Sequence, residues 1–208
     1  MFPQFGYDDS FLQKLGSQSA VEAAINSMLT HVQAAYCHSS LGSAVKLQVE
    51  GIQHLAGKTL TPSGAMLESM EKDTKCNLGS ADLMVYVVYF DPPAGAPYIA
   101  GIAYRPAVCR PNRAKGQVKQ SINRVDPNEL SSSAQTVAHE IGHNLGMFHD
   151  FAQQHKAQCD KTGLMSYFVE TNKWSVCSKA DFHAHYLEFK NVWCLECKFR
   201  MKLYVSLH

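Results

Sequence analysis

Residues 139–150 read HEIGHNLGMFHD and place three histidines, one glutamate and two glycines in twelve positions. On a helix, His139 and His143 fall one turn apart on the same face. Both imidazoles can then reach one metal ion at about 2.0–2.1 Å each. Glu140 follows the first histidine, so it points about 100° away from the ligand axis. It can reach a water at the metal without binding the metal itself. Gly146 readily takes the left-handed conformation that ends a helix sharply. The chain can then turn back and offer His149 as a third ligand. Three protein ligands leave a fourth position open, as in catalytic rather than structural zinc sites. The spacing therefore predicts one catalytic Zn2+ held by His139, His143 and His149. Zinc lowers the pKa of its water and polarises a carbonyl. Glu140 is the expected general base, taking the water's proton and passing it to the leaving amine. The expected reaction is hydrolysis of peptide bonds by a zinc-dependent endopeptidase.

The surroundings suit a helix at that place. ELSSSAQTVAHEIGHNLG (129–146) has serines at its start and Gly146 at its end, as helix start and stop signals require. Residues 19–36 form a second amphipathic helix, with Ser19 and Glu22 at capping-box spacing. A third spans 177–189, with Ser178 and Asp181 as capping residues. Residues 44–50, AVKLQVE, alternate like a half-buried strand. LMVYVVYF (83–90) is a continuous apolar run, as expected of a central strand covered on both faces. YIAGIAYR (98–105) reads as another strand, whose Gly101 marks an edge or a close backbone approach. A further strand falls within 116–125. Strands alternating with helices indicate an α/β domain.

Composition narrows partners and compartment. Nineteen basic residues face eighteen acidic ones, for a net charge of +1. That excludes a strong electrostatic footprint for nucleic acid. The longest apolar run, 81–90, is too short to cross a bilayer as a helix, so no membrane insertion is expected. Seven cysteines favour an oxidising compartment, and the odd count leaves at least one unpaired within the chain. No signal peptide is visible in MFPQFGYDDS. The expectation is a secreted protein whose natural N-terminus is not in this chain. The remaining histidines, including His183 and His185, have no partner at ligand spacing and read as ordinary surface or core residues.

The pattern H-E-x-x-H-x-x-G-x-x-H is the metzincin signature, and GLMSY (163–167) supplies Met165 where metzincins carry a methionine turn beneath the zinc. Asp150 directly after His149 resembles the adamalysin (reprolysin) branch, which holds snake-venom metalloproteinases and the ADAM and ADAMTS proteases. GIAYRPAVCRP (101–111) and WSVCSKADFHAHY (174–186) resemble further segments of that branch, and the likeness extends over roughly residues 8 to 197. The resemblance implies a zincin-like α/β fold: a twisted mixed sheet of about five strands, a long active-site helix and a small C-terminal subdomain. One catalytic domain would span 1–208, with 1–149 above the cleft and 150–208 below it. An extended polypeptide would pair with the edge strand at Gly101, Ile102, Ala103 and Tyr104. Tyr167 and Phe168 would wall the specificity pocket, and Asp150 would hydrogen-bond near the Met165 turn. Cys109 would pair with Cys194, and Cys159 with Cys177. A Cys37–Cys76 pair is an open alternative to free thiols. A monomer is expected.

The chain also departs from the family pattern. The strand that opens the family's domain is expected to be missing, with one sheet position vacant. Calcium is not expected at the family's secondary site, since Gly79 and Cys197 there offer no oxygen side chain. The missing strand is the feature that favours a competing reading, a catalytically weak or inactive metalloprotease-like binding domain. The intact Glu140 and three histidines favour the enzyme.

Overall fold

The computed structural model describes residues 1–71, 74, 81–92, 94–95, 97–106, 108, 119–153, 159, 161–167 and 171–189. Five strands form one mixed sheet: β1 (Pro3–Asp8), β2 (Gly51–Leu55), β3 (Leu83–Val88), β4 (Gly101–Ala103) and β5 (Gln120–Arg124). Their spatial order is β2-β1-β3-β5-β4. The first four neighbours run parallel, and β4 runs antiparallel to β5 at the sheet's edge. Among the described residues the α-helices are α1 (Asp9–Leu15), α2 (Gln18–Tyr36), α3 (Gly64–Ser69), α4 (Leu130–Asn144) and α5 (Val176–Phe189).

β3 lies in the middle because its sequence suits no other place. All six of its residues are buried. Leu83, Val85 and Val87 face a core shared with α2 and α4. Met84, Tyr86 and Val88 face a second cluster with Leu67 of α3. A strand covered on both faces needs a continuous apolar run rather than alternation.

Two expectations about the sheet are corrected. The first strand is present: Pro3–Asp8 fills the position between β2 and β3. It escapes a reading by pattern because PQFGYD contains proline and glycine and does not alternate. Pro3 stands at the first strand position, where proline is tolerated. Phe5 and Tyr7 are fully buried beside Phe11 and α2, and burying a side chain such as Phe5 contributes roughly 2–3 kcal/mol. Second, the strand expected at 44–50 lies at Gly51–Leu55. Residues 44–50 alternate in burial as expected, with Val45 inside and Lys46 outside. They run beside the chain start instead, through Gln48 N–H to Met1 O and Glu50 N–H to Pro3 O. β1 supplies its in-register ladder to 51–55.

The helix caps also differ from expectation. Ser17, not Ser19, caps α2, its Oγ accepting from Ala20 N–H at 3.2 Å. Ser175 takes the capping role at α5, accepting from Ser178 N–H at 3.0 Å. Ser178 and Asp181 have other partners, described below.

α2 sets the position of α4. The Tyr36 hydroxyl donates to Ala138 O at 2.9 Å, in the middle of α4. Trp174 donates its indole N–H to Ala35 O at 2.8 Å and packs against Tyr36 at 5.1 Å between ring centroids. Both the motif helix and the segment beneath it are therefore tied to the same end of α2.

Candidate active site

α4 ends at Asn144, and the chain leaves it through Gly146 at φ +94°. A side chain at Gly146 would be strained there and would also meet His185 Cβ at 2.9 Å. The turn returns His149 to the other two histidines. His149 Nε2 lies 3.1 Å from His143 Nε2 and 3.2 Å from His139 Nε2.

Hydrogen bonds on the far sides of the rings decide the tautomers. His139 Nδ1 lies 2.7 Å from Leu164 O, and His143 Nδ1 lies 2.9 Å from Met147 O. A carbonyl oxygen only accepts, so both Nδ1 atoms carry the proton and both Nε2 atoms present a lone pair. Such partners commonly orient the histidines of metal sites. A proton on His149 could serve only one of its neighbours, whereas one cation serves all three. Ligands about 2.0–2.1 Å from a tetrahedral zinc stand about 3.3 Å from one another, close to the two distances from His149 Nε2. Among the described residues, these three form the one cluster of side chains suited to hold a metal ion. The donor set fits zinc.

Burial is the main influence on ionisation here. It pushes His139 down to about 4 and His143 down to about 3, with the neighbouring His139 adding to the shift at His143. His149 is also lowered, mainly by burial. All three rings are neutral at neutral pH and can bind a cation without first losing a proton. Burial pushes Glu140 the other way, up to about 8.

Glu140 lies against the edge strand. A Cβ at Gly101 would stand 2.6 Å from Glu140 Cγ and 2.7 Å from its Oε1. The bare backbone of Gly101 thus makes room for the carboxylate. Gly142 plays a similar part on another side of α4, because a Cβ there would meet Met165 Sδ at 2.8 Å. Met165 is fully buried beneath the helix. The sequence offered a signal for this contact, a glycine inside a helix, which costs about 1 kcal/mol relative to alanine.

Asp150 joins the Met165 turn to the start of α5. Its backbone N–H donates to Met165 O at 3.1 Å. Its carboxylate accepts from Ser166 Oγ at 2.9 Å, Ser175 Oγ at 2.5 Å and Ser178 Oγ at 3.0 Å. Ser166 and Ser175 were not singled out by the sequence, and Ser178 was expected there only as a helix cap. Cys159 and Cys177 form a disulfide with Cα atoms 5.8 Å apart. Cys37 is an exposed free thiol, so the open Cys37–Cys76 alternative resolves against that pair.

Tyr167 lies 4.8 Å from His149 and 6.3 Å from His139 between ring centroids, and it is half exposed. Phe151, which the sequence did not single out, stacks on His149 at 4.9 Å and contacts Tyr167 at 4.8 Å. Ile102, Ala103 and Tyr104 are partly exposed along the β4 edge. Phe168, Cys76, Gly79, Cys109, Cys194 and Cys197 lie outside the described residues.

Comparison with known proteins gives this arrangement a family. The family model Reprolysin_5, metallo-peptidase family M12, matches residues 5–178. The chain belongs to metallo-peptidase family M12. Its α/β sheet and helices are the metzincin-like fold of that family. Among its relatives, snake venom metalloproteinase fibrolase from Macrovipera lebetinus is 38% identical over 101 residues, covering 46% of this chain and 45% of that protein. A disintegrin and metalloproteinase with thrombospondin motifs 1 from Bombyx mori is 26% identical over 200 residues, covering 90% of this chain and 19% of that protein. Snake venom metalloproteinase trimerelysin-2 from Protobothrops flavoviridis is 35% identical over 85 residues, covering 39% of this chain and 38% of that protein. The chain thus spans less than half the length of these relatives. A solved structure described as a chaperone–substrate complex superposes with a TM-score of 0.50 at 16% identity, covering 73% of this chain and 24% of that one. At that identity the likeness concerns fold alone.

Proposed function

We propose that this chain is a zinc-dependent endopeptidase domain that cleaves extended polypeptides, with Glu140 as general base. The observation that carries the reading is the convergence of three imidazoles, with His149 Nε2 at 3.1–3.2 Å from the other two Nε2 atoms and all three ligand atoms within 4.8 Å of one another, and with a buried carboxylate one residue after the first. Zinc bound there would supply a Lewis acid that lowers the pKa of water and polarises the scissile carbonyl. Glu140 takes the proton from the attacking water and hands it to the leaving amine. A carboxyl group pushed up to about 8 is a strong base for its type, and a cation nearby favours its ionised form.

The substrate lies along β4. That strand pairs with β5 on one side and ends the sheet on the other. Its outer edge is suited to adding one more strand, the peptide itself. Gly101 places the backbone of that strand beside Glu140, so pairing brings a peptide bond to the base. Tyr167 and Phe151, exposed beside His149, form an aromatic wall for a substrate side chain. The Cys159–Cys177 disulfide suits an oxidising, extracellular setting, and secreted or cell-surface proteins are the proposed substrates. No helix among the described residues is long and apolar enough to cross a membrane. The case for a non-cutting binding domain rested on a vacant first strand, and β1 fills that position.

The test is incubation of the zinc-loaded protein with denatured casein or gelatin, beside Glu140→Ala and a chelated sample. Cleavage that disappears in both controls supports the reading, with a loss of roughly a hundredfold or more for the variant. One zinc bound per chain without cleavage contradicts it.

A further inference from the structure

The chain that leaves β4 passes close to the metal ligands before it turns away, and it carries a fixed cation there. Arg105 is exposed, two positions beyond the end of β4 at Ala103. Its flanks are both tied to Asn144, the residue after ligand His143. Asn144 Nδ2 donates to Tyr104 O at 2.8 Å, and Asn144 O accepts from Val108 N–H at 3.0 Å. One residue at the end of α4 thus sets the distance from the metal ligands to the backbone on either side of Arg105.

The side chain is held as well. The guanidinium carbon of Arg105 sits 3.1 Å from the centroid of the Phe148 ring, a cation–π stack. Phe148 directly precedes His149, and its backbone N–H is fixed by Asp181 Oδ2 at 2.9 Å. The charge is close enough to disfavour protonation of both His143 and His149. A guanidinium cannot lose its charge and presents its donors in a flat fork matched to a carboxylate.

We propose that Arg105 is a specificity-determining residue that selects substrates carrying an acidic side chain at the end of the cleft where β4 leads into residue 105. The inference rests on the endopeptidase reading and on strand pairing along β4. A peptide extended along β4 must pass this guanidinium on its way out of the cleft. An aspartate or glutamate arriving there finds a cation already oriented by Phe148 and Asn144. A lysine or arginine at the same position is repelled.

The experiment uses amidated fluorogenic peptides that differ only in glutamate, glutamine or lysine, scanned over three positions on each side of the cleaved bond. The wild type should cut one glutamate peptide with a kcat/KM roughly fivefold above its glutamine twin, and the ratio should shrink as salt rises. Arg105→Gln should bring the ratio near one. Arg105→Lys should retain part of it, and Arg105→Glu should shift the preference to the lysine peptide. A wild-type ratio near one at every position, or a ratio unchanged in Arg105→Gln, overturns the proposal.

Binding of the same peptides to the zinc-loaded Glu140→Gln protein, read by fluorescence anisotropy, gives an independent ratio. If the wild type cuts no peptide, the endopeptidase reading fails, while the anisotropy ratio still decides the role of Arg105. Failure to bind any of the peptides also overturns the proposal.

Discussion

The surroundings of Asp150 and of Glu140 make a pair for comparison. Both carboxylates are buried, at 2% and 5% exposure. Asp150 accepts from three serine hydroxyls, brought from the Met165 turn and the start of α5. No hydrogen bond reaches the Glu140 carboxylate among the described residues, and burial alone drives its shift up to about 8. A buried polar group with its partners in place holds structure together; one without them costs stability. The region around Asp150 is a joint, and on the proposed function the region around Glu140 is kept open for chemistry. Stability and activity should therefore respond in opposite directions when each is altered.

The largest expected effect tests what both regions surround. His143→Ala should reduce bound zinc from one per chain to none after dialysis, read by atomic absorption. The loss should exceed the 10- to 100-fold that changes around a metal's ligands usually cause. Next comes Glu140→Gln, which should lower cleavage of casein at least a hundredfold yet stabilise the zinc-free protein above neutral pH.

The sign of that stability effect follows from proton linkage. Unfolded Glu140 titrates near 4.5 and folded near 8. Between those values the folded chain holds a proton that the unfolded chain has lost, so stability falls as pH rises through the window. The histidines act in the opposite sense. Unfolded they titrate near 6.5, and folded His139 and His143 near 4 and 3. Their contribution grows as pH rises through about 4–6.5 and is complete above that. Thermal melts of the zinc-free protein should show greatest stability near about pH 6.5. Glu140→Gln should remove the decline above that point; a decline of the same size in both proteins would contradict the burial account.

Asp150→Ala should do the reverse of Glu140→Gln. It leaves three buried hydroxyls without their acceptor, and urea unfolding should register a loss of roughly 3 kcal/mol. Gly101→Ala sharpens the contrast from the side of the chemistry. The added Cβ displaces the Glu140 carboxylate, so kcat should fall roughly tenfold while zinc content stays at one per chain. The smallest effect lies far from both regions: Ser17→Ala should cost about 1 kcal/mol in urea unfolding, with no change in zinc content.

The same contrast explains how much of the molecule the sequence discloses. β3, α2 and α4 are legible because one local rule governs each: an unbroken apolar run, a 3.6-residue stripe, a helix with serines before it and Gly146 after it. The three histidines able to hold a metal are legible because helical spacing and one turn bring them together. β1 is not, because Pro3–Asp8 owes its place to strands β2 and β3, far along the chain, and its burial on both faces removes alternation. Residues 44–50 do alternate, but which segment joins the ladder is settled by pairing with β1, which begins its register at Gly51. The acceptors of the histidine rings are backbone carbonyls of Leu164 and Met147, which carry no sequence signature. Ser166, Ser175 and Ser178 belong to the site only because Asp150 collects them. Apolar burial leaves a trace in composition, whereas polar burial leaves one only in pairs.

X-ray absorption at the zinc edge of the metal-loaded protein reads the ligand set of the site itself. Three imidazole nitrogens are expected at about 2.0–2.1 Å, reduced to two in His149→Ala. Sulfur scattering at about 2.3 Å, or an imidazole count unchanged in that variant, would contradict it.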